Sequence, residues 1–109
     1  PDVKAISQSE PEFRPGNESR FVAIDDLRAR NGLTIQLVAG NLEQTALTAL
    51  ERYPELKDAV YTRGERNGEP WFMVIYGQYQ TRTAAQNAVS ELPQALRGQS
   101  PWIRSAEGL

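Results

Sequence analysis

The sequence predicts an α+β domain with the element order βαββαβ, the ferredoxin-like (RNP-like) arrangement. In this arrangement two helices cover one face of a four-stranded antiparallel sheet. From residue 33 onward, strand-like and helix-like apolar patterns follow one another in that order. Glycine, proline and Asn-Gly signals separate the patterns. Right-handed crossovers then put strands one and three at the centre of the sheet, with both helices on the same side.

The first strand and helix are predicted within residues 33–53. The strand LTIQLV alternates, and its more apolar side chains should face the helices: Leu33, Ile35 and Leu37. The others should face the opposite side: Thr34, Gln36 and Val38. Gly40 ends the strand, Asn41 offers a cap for the helix, and Pro54 ends that helix.

The second half of the chain supplies the other four elements. Residues 59–63 (AVYTR) and 71–76 (WFMVIY) predict a hairpin around Asn67-Gly68, the strongest short turn signal here. Thr81 can cap a helix whose apolar side chains recur at helical spacing up to Leu92. Residues 101–105 (PWIRS) predict a short fourth strand.

The N-terminal third has a different character. Residues 1–20 are polar, contain three prolines and predict a flexible linker, and residues 21–32 predict a short helix before the domain at 33–109. Because the first residue is Pro1, we expect a fragment of a longer protein. No apolar run approaches the ~20 residues of a membrane span, so any anchor or targeting segment is expected outside these residues.

The amino-acid composition disfavours several classes of function. The net charge is −2, which disfavours a domain that binds nucleic acid through phosphates. The chain has no cysteine and no histidine, so it lacks thiolate metal sites, a Cys nucleophile and the commonest general base. We therefore expect no enzyme activity, no cofactor and no metal.

Strand three is apolar on both sides, which is typical of a strand covered on both faces. We expect its helix-facing side chains to be Phe72, Val74 and Tyr76, and its open-side chains to be Trp71, Met73 and Ile75. A β-bulge would exchange the two faces. The open side, with Gln36, Thr34 and Trp102 nearby, would form an aromatic platform with amide and hydroxyl groups, suited to sugar rings. Alternatively, the N-terminal helix or a dimer partner covers it.

The block LTIQLVAGN…NGEPWFMVIYGQYQTRTAA…SPWIRS resembles the SPOR (sporulation-related repeat) domain, most of all in DamX-type bacterial cell-division proteins. The matching features are Gln36, Pro70-Trp71, Gly77 with Tyr79, Thr81 and Pro101-Trp102. The resemblance covers about residues 33–105. Ala39 stands where the family often has Ser, and Met73 stands where another family pattern has Arg. We expect the Asn41 side chain, or the backbone of Gly40 or Asn41, to take the place of the serine hydroxyl.

The resemblance implies a non-catalytic module that binds peptidoglycan glycan strands stripped of their stem peptides. The implied contacts are Gln36, Trp71, Met73 and Trp102, with Thr34 and Asn41 beside them. It also implies that the domain is the periplasmic part of a protein that is anchored in the inner membrane and enriched at the division septum. The domain would be a monomer, with other divisome proteins as further partners.

Two other function classes share this topology. A protein–protein or self-association module could use the same apolar face. An RNA-recognition domain is the more distant alternative, because the third strand lacks the K/R-G-F/Y-G/A-F pattern. Residues 33–109 also hold seven basic against eight acidic residues, without the surplus of positive charge that RNA binding favours.

Overall fold

The computed structural model describes residues 13–99 and 101–109. Its elements follow in chain order: α1 Ile24–Arg28, β1 Leu33–Gly40, α2 Glu43–Arg52, β2 Ala59–Arg66, β3 Glu69–Tyr79, α3 Arg82–Ser90, α4 Gln94–Arg97, β4 Trp102–Ser105 and a 3₁₀ turn Ala106–Gly108. The four strands form one antiparallel sheet in the order β2-β3-β1-β4. The predicted α+β class is confirmed, with strands one and three at the centre.

Local sequence signals explain most element boundaries. Asn67 and Gly68 have φ angles of 55° and 80°, the left-handed pair that a two-residue hairpin turn requires. Thr81 caps α3, because its Oγ1 accepts a hydrogen bond of 3.1 Å from the Ala84 N–H. The predicted Asn41 cap is wrong: Leu42 is the N-cap of α2, and it makes no side-chain hydrogen bond.

The main core lies between the sheet and helices α2, α3 and α4, on the side called here the helix face. Phe72 and Val74 of β3 are buried there, as predicted, and Tyr76 packs against the same cluster. The strand partners Ile35 and Ile103 also belong to it. Helix α4, which the sequence did not predict, adds Leu96, only 1% exposed.

Two bulges change the pairing of β1 with β3. Between Gln36 and Val38, β1 advances two residues while β3 advances one. The extra residue turns Val38 toward the core of the helix face and Ala39 toward the opposite cluster. The prediction that Val38 lies on the open side is therefore wrong. The second irregularity lies near Gly77, whose φ is 75°.

The opposite side of the sheet, called here the groove face, is largely covered, which corrects the expectation of an open sheet. Met73 and Ile75 lie on this side as predicted, but they are 4% and 1% exposed. They pack against Leu27 of α1 and against Leu109. Of the two coverings left open by the sequence, the chain's own N-terminal helix is the one observed.

Residues 13–22 pack along the free edge of β2, so the predicted linker is wrong for residues 13–20. The Val22 N–H donates to the Tyr61 carbonyl at 3.0 Å, and the Tyr61 N–H donates to the Arg20 carbonyl at 2.9 Å. The Phe13 ring lies 5.8 Å from that of Phe72. This segment, called here the N-terminal strap, leads the chain into α1. The remainder of the predicted linker, residues 1–12, lies outside the described residues.

Within residues 13–99 and 101–109, no helix combines the length and the apolar character that crossing a membrane requires.

Candidate functional site

A groove of about 420 Å³ runs across the groove face. Four of the predicted site residues line it: Gln36, Trp71, Met73 and Trp102. Ile24 and Arg28 of α1 also line it, together with Gly108 and Leu109, and the Arg28 Nε–H donates to the Leu109 carbonyl at 2.8 Å. The fold thus brings residues from β1, β3 and β4 together in one concave site, which the covering segments deepen.

Trp102 forms one end of the groove. It is 56% exposed and stands opposite Gln36 in the pairing of β4 with β1. The guanidinium carbon of Arg104 lies 4.4 Å from the centroid of the Trp102 ring, within cation–π range. An exposed indole held by a cation on one face presents its remaining surface to a ligand.

Gln36 lies on the floor beside Trp102. Its Oε1 accepts a hydrogen bond of 2.7 Å from Nη1 of Arg104. Because the oxygen of the amide is engaged in this way, its Nε2 group is the part that can donate to a ligand in the groove.

Trp71 forms the other end. It faces the groove from β3, where it pairs with Gly64 of β2, and its side chain is half-buried. The guanidinium carbon of Arg66 lies 4.5 Å from the centroid of its ring. Both tryptophans therefore have an arginine stacked on them, one at each end of the groove.

The other three predicted contacts differ in how far they are available. Met73 lines the groove but is only 4% exposed, so it forms the floor. Thr34 is 3% exposed, and its hydroxyl donates to the carbonyls of Tyr76 and Gly77, so it is corrected to a structural residue. Asn41 is exposed but does not belong to the groove, because it follows the C-terminal end of β1.

The groove carries more positive than negative charge, which sequence reasoning missed. Three arginines line it, Arg28, Arg66 and Arg104, against one acidic residue, Glu65. Burial lowers the pKa of Arg104 from its ordinary value. The available signal was the alternation within β4, since Arg104 lies two residues after Trp102 and so faces the same side. Nothing comparable pointed to Arg28, because that contact depends on how α1 docks.

Across the described part of the chain, no three acidic, cysteine or histidine side chains come together as metal ligands would. The polar groups that line the groove are instead arginine, amide and indole groups, together with Glu65. They are suited to stacking and hydrogen bonding with a ligand.

Comparison with known sequences agrees with this geometry. The family model described as "SPOR domain" matches residues 29–105, which span all four strands and most of the groove. A curated relative, "Cell division protein DamX" of Serratia marcescens, is 28% identical over 71 residues, which cover 65% of this chain. The chain spans only about a third (33%) of that relative's length. Since the family match covers well over half of the chain and the fold agrees with it, this chain belongs to the SPOR domain family.

Proposed function

We propose that this domain is a non-catalytic peptidoglycan-binding module that recognises glycan strands free of stem peptides. Its ligand would lie in the groove across Gln36, Trp71 and Trp102, with Met73 as the floor. The observation that carries this function is the joint placement of two tryptophans and an amide in one groove. Aromatic faces pack against the apolar C–H surface of sugar rings, and an amide donates to hydroxyl or acetamido oxygens.

The separation of the two tryptophans suits an extended ligand. Trp102 stands level with Gln36 and Ile75, while Trp71 lies four residues further along β3 and one strand away from β1. Standard strand spacings then separate the two backbone positions by about 16 Å. A ligand that touches both must be longer than a single sugar ring, which favours a glycan chain over a monosaccharide.

We further propose that glycan binding brings a larger parent protein to the division septum. The SPOR-bearing relative is named a cell division protein, and this chain corresponds to about a third of it. In this proposal the domain is periplasmic, acts as a monomer and belongs to a protein anchored in the inner membrane, with other divisome proteins as additional partners.

A pull-down with purified sacculi tests the ligand class. Amidase treatment removes stem peptides from the glycan, so the domain is expected to bind treated sacculi and to bind untreated sacculi much less. The same glycan added to ¹⁵N-labelled domain should shift the NMR signals of the Gln36 side-chain amide and of both indole N–H groups. Equal capture by both kinds of sacculi, capture by neither, or shifts confined to the helix face would contradict the proposal.

A further inference from the structure

We propose that Arg104 is a specificity-determining residue that binds a carboxylate of the glycan, namely the lactyl carboxylate that a muramic acid residue bears once its stem peptide is gone. This inference rests on the proposed function and adds to it the chemical group by which a peptide-free strand is told from a peptide-bearing one.

The hydrogen bonds of Arg104 leave donors for a ligand. A guanidinium has five N–H groups. One on Nη1 is bonded to Gln36 Oε1, and one on Nη2 is bonded to the Gly108 carbonyl. The Nε atom is buried and, among the described residues, has no hydrogen-bond acceptor. Each Nη atom therefore retains one N–H beside the groove, and a carboxylate is the acceptor that a pair of guanidinium N–H groups fits best.

The charge around Arg104 is not balanced by the protein. Within residues 13–99 and 101–109 the one ion pair is Arg28 with Asp25, at 3.5 Å. Arg104 thus lacks a carboxylate partner there, although it is partly removed from water against Trp102. A cation in such a place is stabilised by an anion that binds beside it. Arg28 and Arg66 line the same groove and add to the attraction for a negative group.

The chemistry of muramic acid explains why a residue that binds the lactyl carboxylate would select peptide-free strands. While the stem peptide is attached, the lactyl group ends in a neutral amide. Hydrolysis of that amide by an amidase leaves a carboxylate on the sugar and an amine on the released peptide. The short lactyl ether holds this carboxylate close to the ring, so a sugar stacked on Trp102 would bring it near Arg104. Stem peptides carry carboxylates too, but at a distance from the ring.

The test compares three defined glycan oligomers of equal length by isothermal titration calorimetry. The first carries free lactyl carboxylates, the second carries their methyl esters, and the third keeps its stem peptides. The unaltered domain is expected to bind the free acid about tenfold or more tighter than the ester, the range of a hydrogen bond to a charged group. In Arg104→Gln this preference should fall to about one, whereas Arg104→Lys should retain part of it. Arg82→Gln, an exposed residue at the start of α3, is the matched control and should behave as the unaltered domain.

The outcomes separate this inference from the function on which it rests. If acid and ester bind equally well, the proposal that Arg104 binds the lactyl carboxylate is overturned, while the proposal of glycan binding stands. If the peptide-bearing oligomer binds as tightly as the free acid, the peptide's own carboxylates satisfy the groove, and the lactyl assignment is overturned. If no oligomer binds, both proposals fail. The comparison of acid with ester in the unaltered domain needs no variant, so a folding defect in Arg104→Gln leaves it intact.

Discussion

Arg104 on β4 donates a hydrogen bond of 2.7 Å from Nη1 to Oε1 of Gln36 on β1. The bond joins the two polar side chains beside Trp102 and orients both. It holds the guanidinium over the indole and leaves the amide nitrogen of Gln36 as the donor for the proposed ligand. Gln36 thus has two functions in the proposed site: it fixes Arg104, and it offers a donor to the sugar.

Replacing Gln36 with Glu would convert this hydrogen bond into an ion pair. The shape changes little, so we expect the free energy of unfolding to stay within about 1 kcal/mol of its original value. The new carboxylate would occupy Arg104 and repel an anionic ligand, and the amide donor would be lost. Affinity for peptide-free glycan should fall at least tenfold, measured by calorimetry beside a urea titration. Unchanged affinity in Gln36→Glu would contradict the role given to this pair.

Trp102→Ala should remove glycan binding without harming the fold. The side chain is 56% exposed, so its loss should cost less than about 1 kcal/mol of stability. Tryptophans that anchor interfaces typically contribute about 2 kcal/mol or more, which corresponds to a loss of about thirtyfold or more in affinity. Leu42→Ala is a matched control, because Leu42 is 61% exposed but lies outside the groove. Equal binding by both variants in the sacculus pull-down would remove Trp102 from the site.

Features that depend on short stretches of chain were predictable from the sequence. The order of the elements, the Asn67-Gly68 turn and the Thr81 cap follow from local backbone preferences. The two faces of β3 were also assigned correctly, because alternation is fixed by the pleat of the strand. Three strands therefore presented their tryptophans and Gln36 to one side, as predicted.

Features that depend on contacts between distant segments were not predictable in this way. The bulge that turns Val38 to the helix face exists only in the pairing of β1 with β3. The N-terminal strap has no periodic pattern, because it is held by backbone bonds to the edge of β2 and by single aromatic contacts. Arg28 enters the groove only because α1 docks over Met73.

Met73 should behave as a core residue in mutagenesis, although it lines the groove. Met73→Ala would leave a cavity under α1 and should cost about 2–5 kcal/mol of unfolding free energy. Met73→Leu conserves volume and should cost less than about 1.5 kcal/mol, with glycan affinity kept within a few-fold. Thermal denaturation and calorimetry on the two variants show whether Met73 supports the groove as a buried floor residue or contacts the glycan directly. A Met73→Ala domain of full stability and reduced affinity would make Met73 a direct contact instead.

Leu27 links α1 to the groove face, and its loss should affect both stability and binding. Leu27 is 1% exposed against Met73 and Ile75, so Leu27→Ala should cost about 2–5 kcal/mol and loosen α1. The groove would then lose the side formed by Ile24 and Arg28. Glycan affinity, measured well below the melting temperature, should fall several-fold.

Leu96→Ala is the matched control for Leu27→Ala. Leu96 is equally buried, at 1%, but lies in the core of the helix face. It should lower the melting temperature similarly and leave glycan affinity unchanged. If both variants lost affinity to the same extent, the effect would come from general destabilisation, and the docked position of α1 would have no specific part in binding.

Tyr61 should make the fold sensitive to alkaline pH. Its side chain is fully buried, and its hydroxyl donates a hydrogen bond of 2.7 Å to Oε2 of Glu43. The same Oε2 accepts from the Gly16 N–H of the N-terminal strap. Burial, reinforced by the bond to Glu43, raises the pKa of Tyr61 from 10.0 to about 12. Above pH 10 the unfolded chain therefore loses this proton before the folded chain does.

The contribution of Tyr61 to stability is complete below pH 10 and decreases as the pH rises toward 12. A shift of this size corresponds to a loss of up to about 3 kcal/mol. Tyr61→Phe should be less stable at pH 7, by about 1 kcal/mol for the lost hydrogen bond, but should show a smaller decrease between pH 9 and 11.5. Some decrease should remain, because burial also raises the pKa of Tyr79. Urea midpoints across this range measure the difference, and parallel curves for the two proteins would show that Tyr61 is not the titrating group.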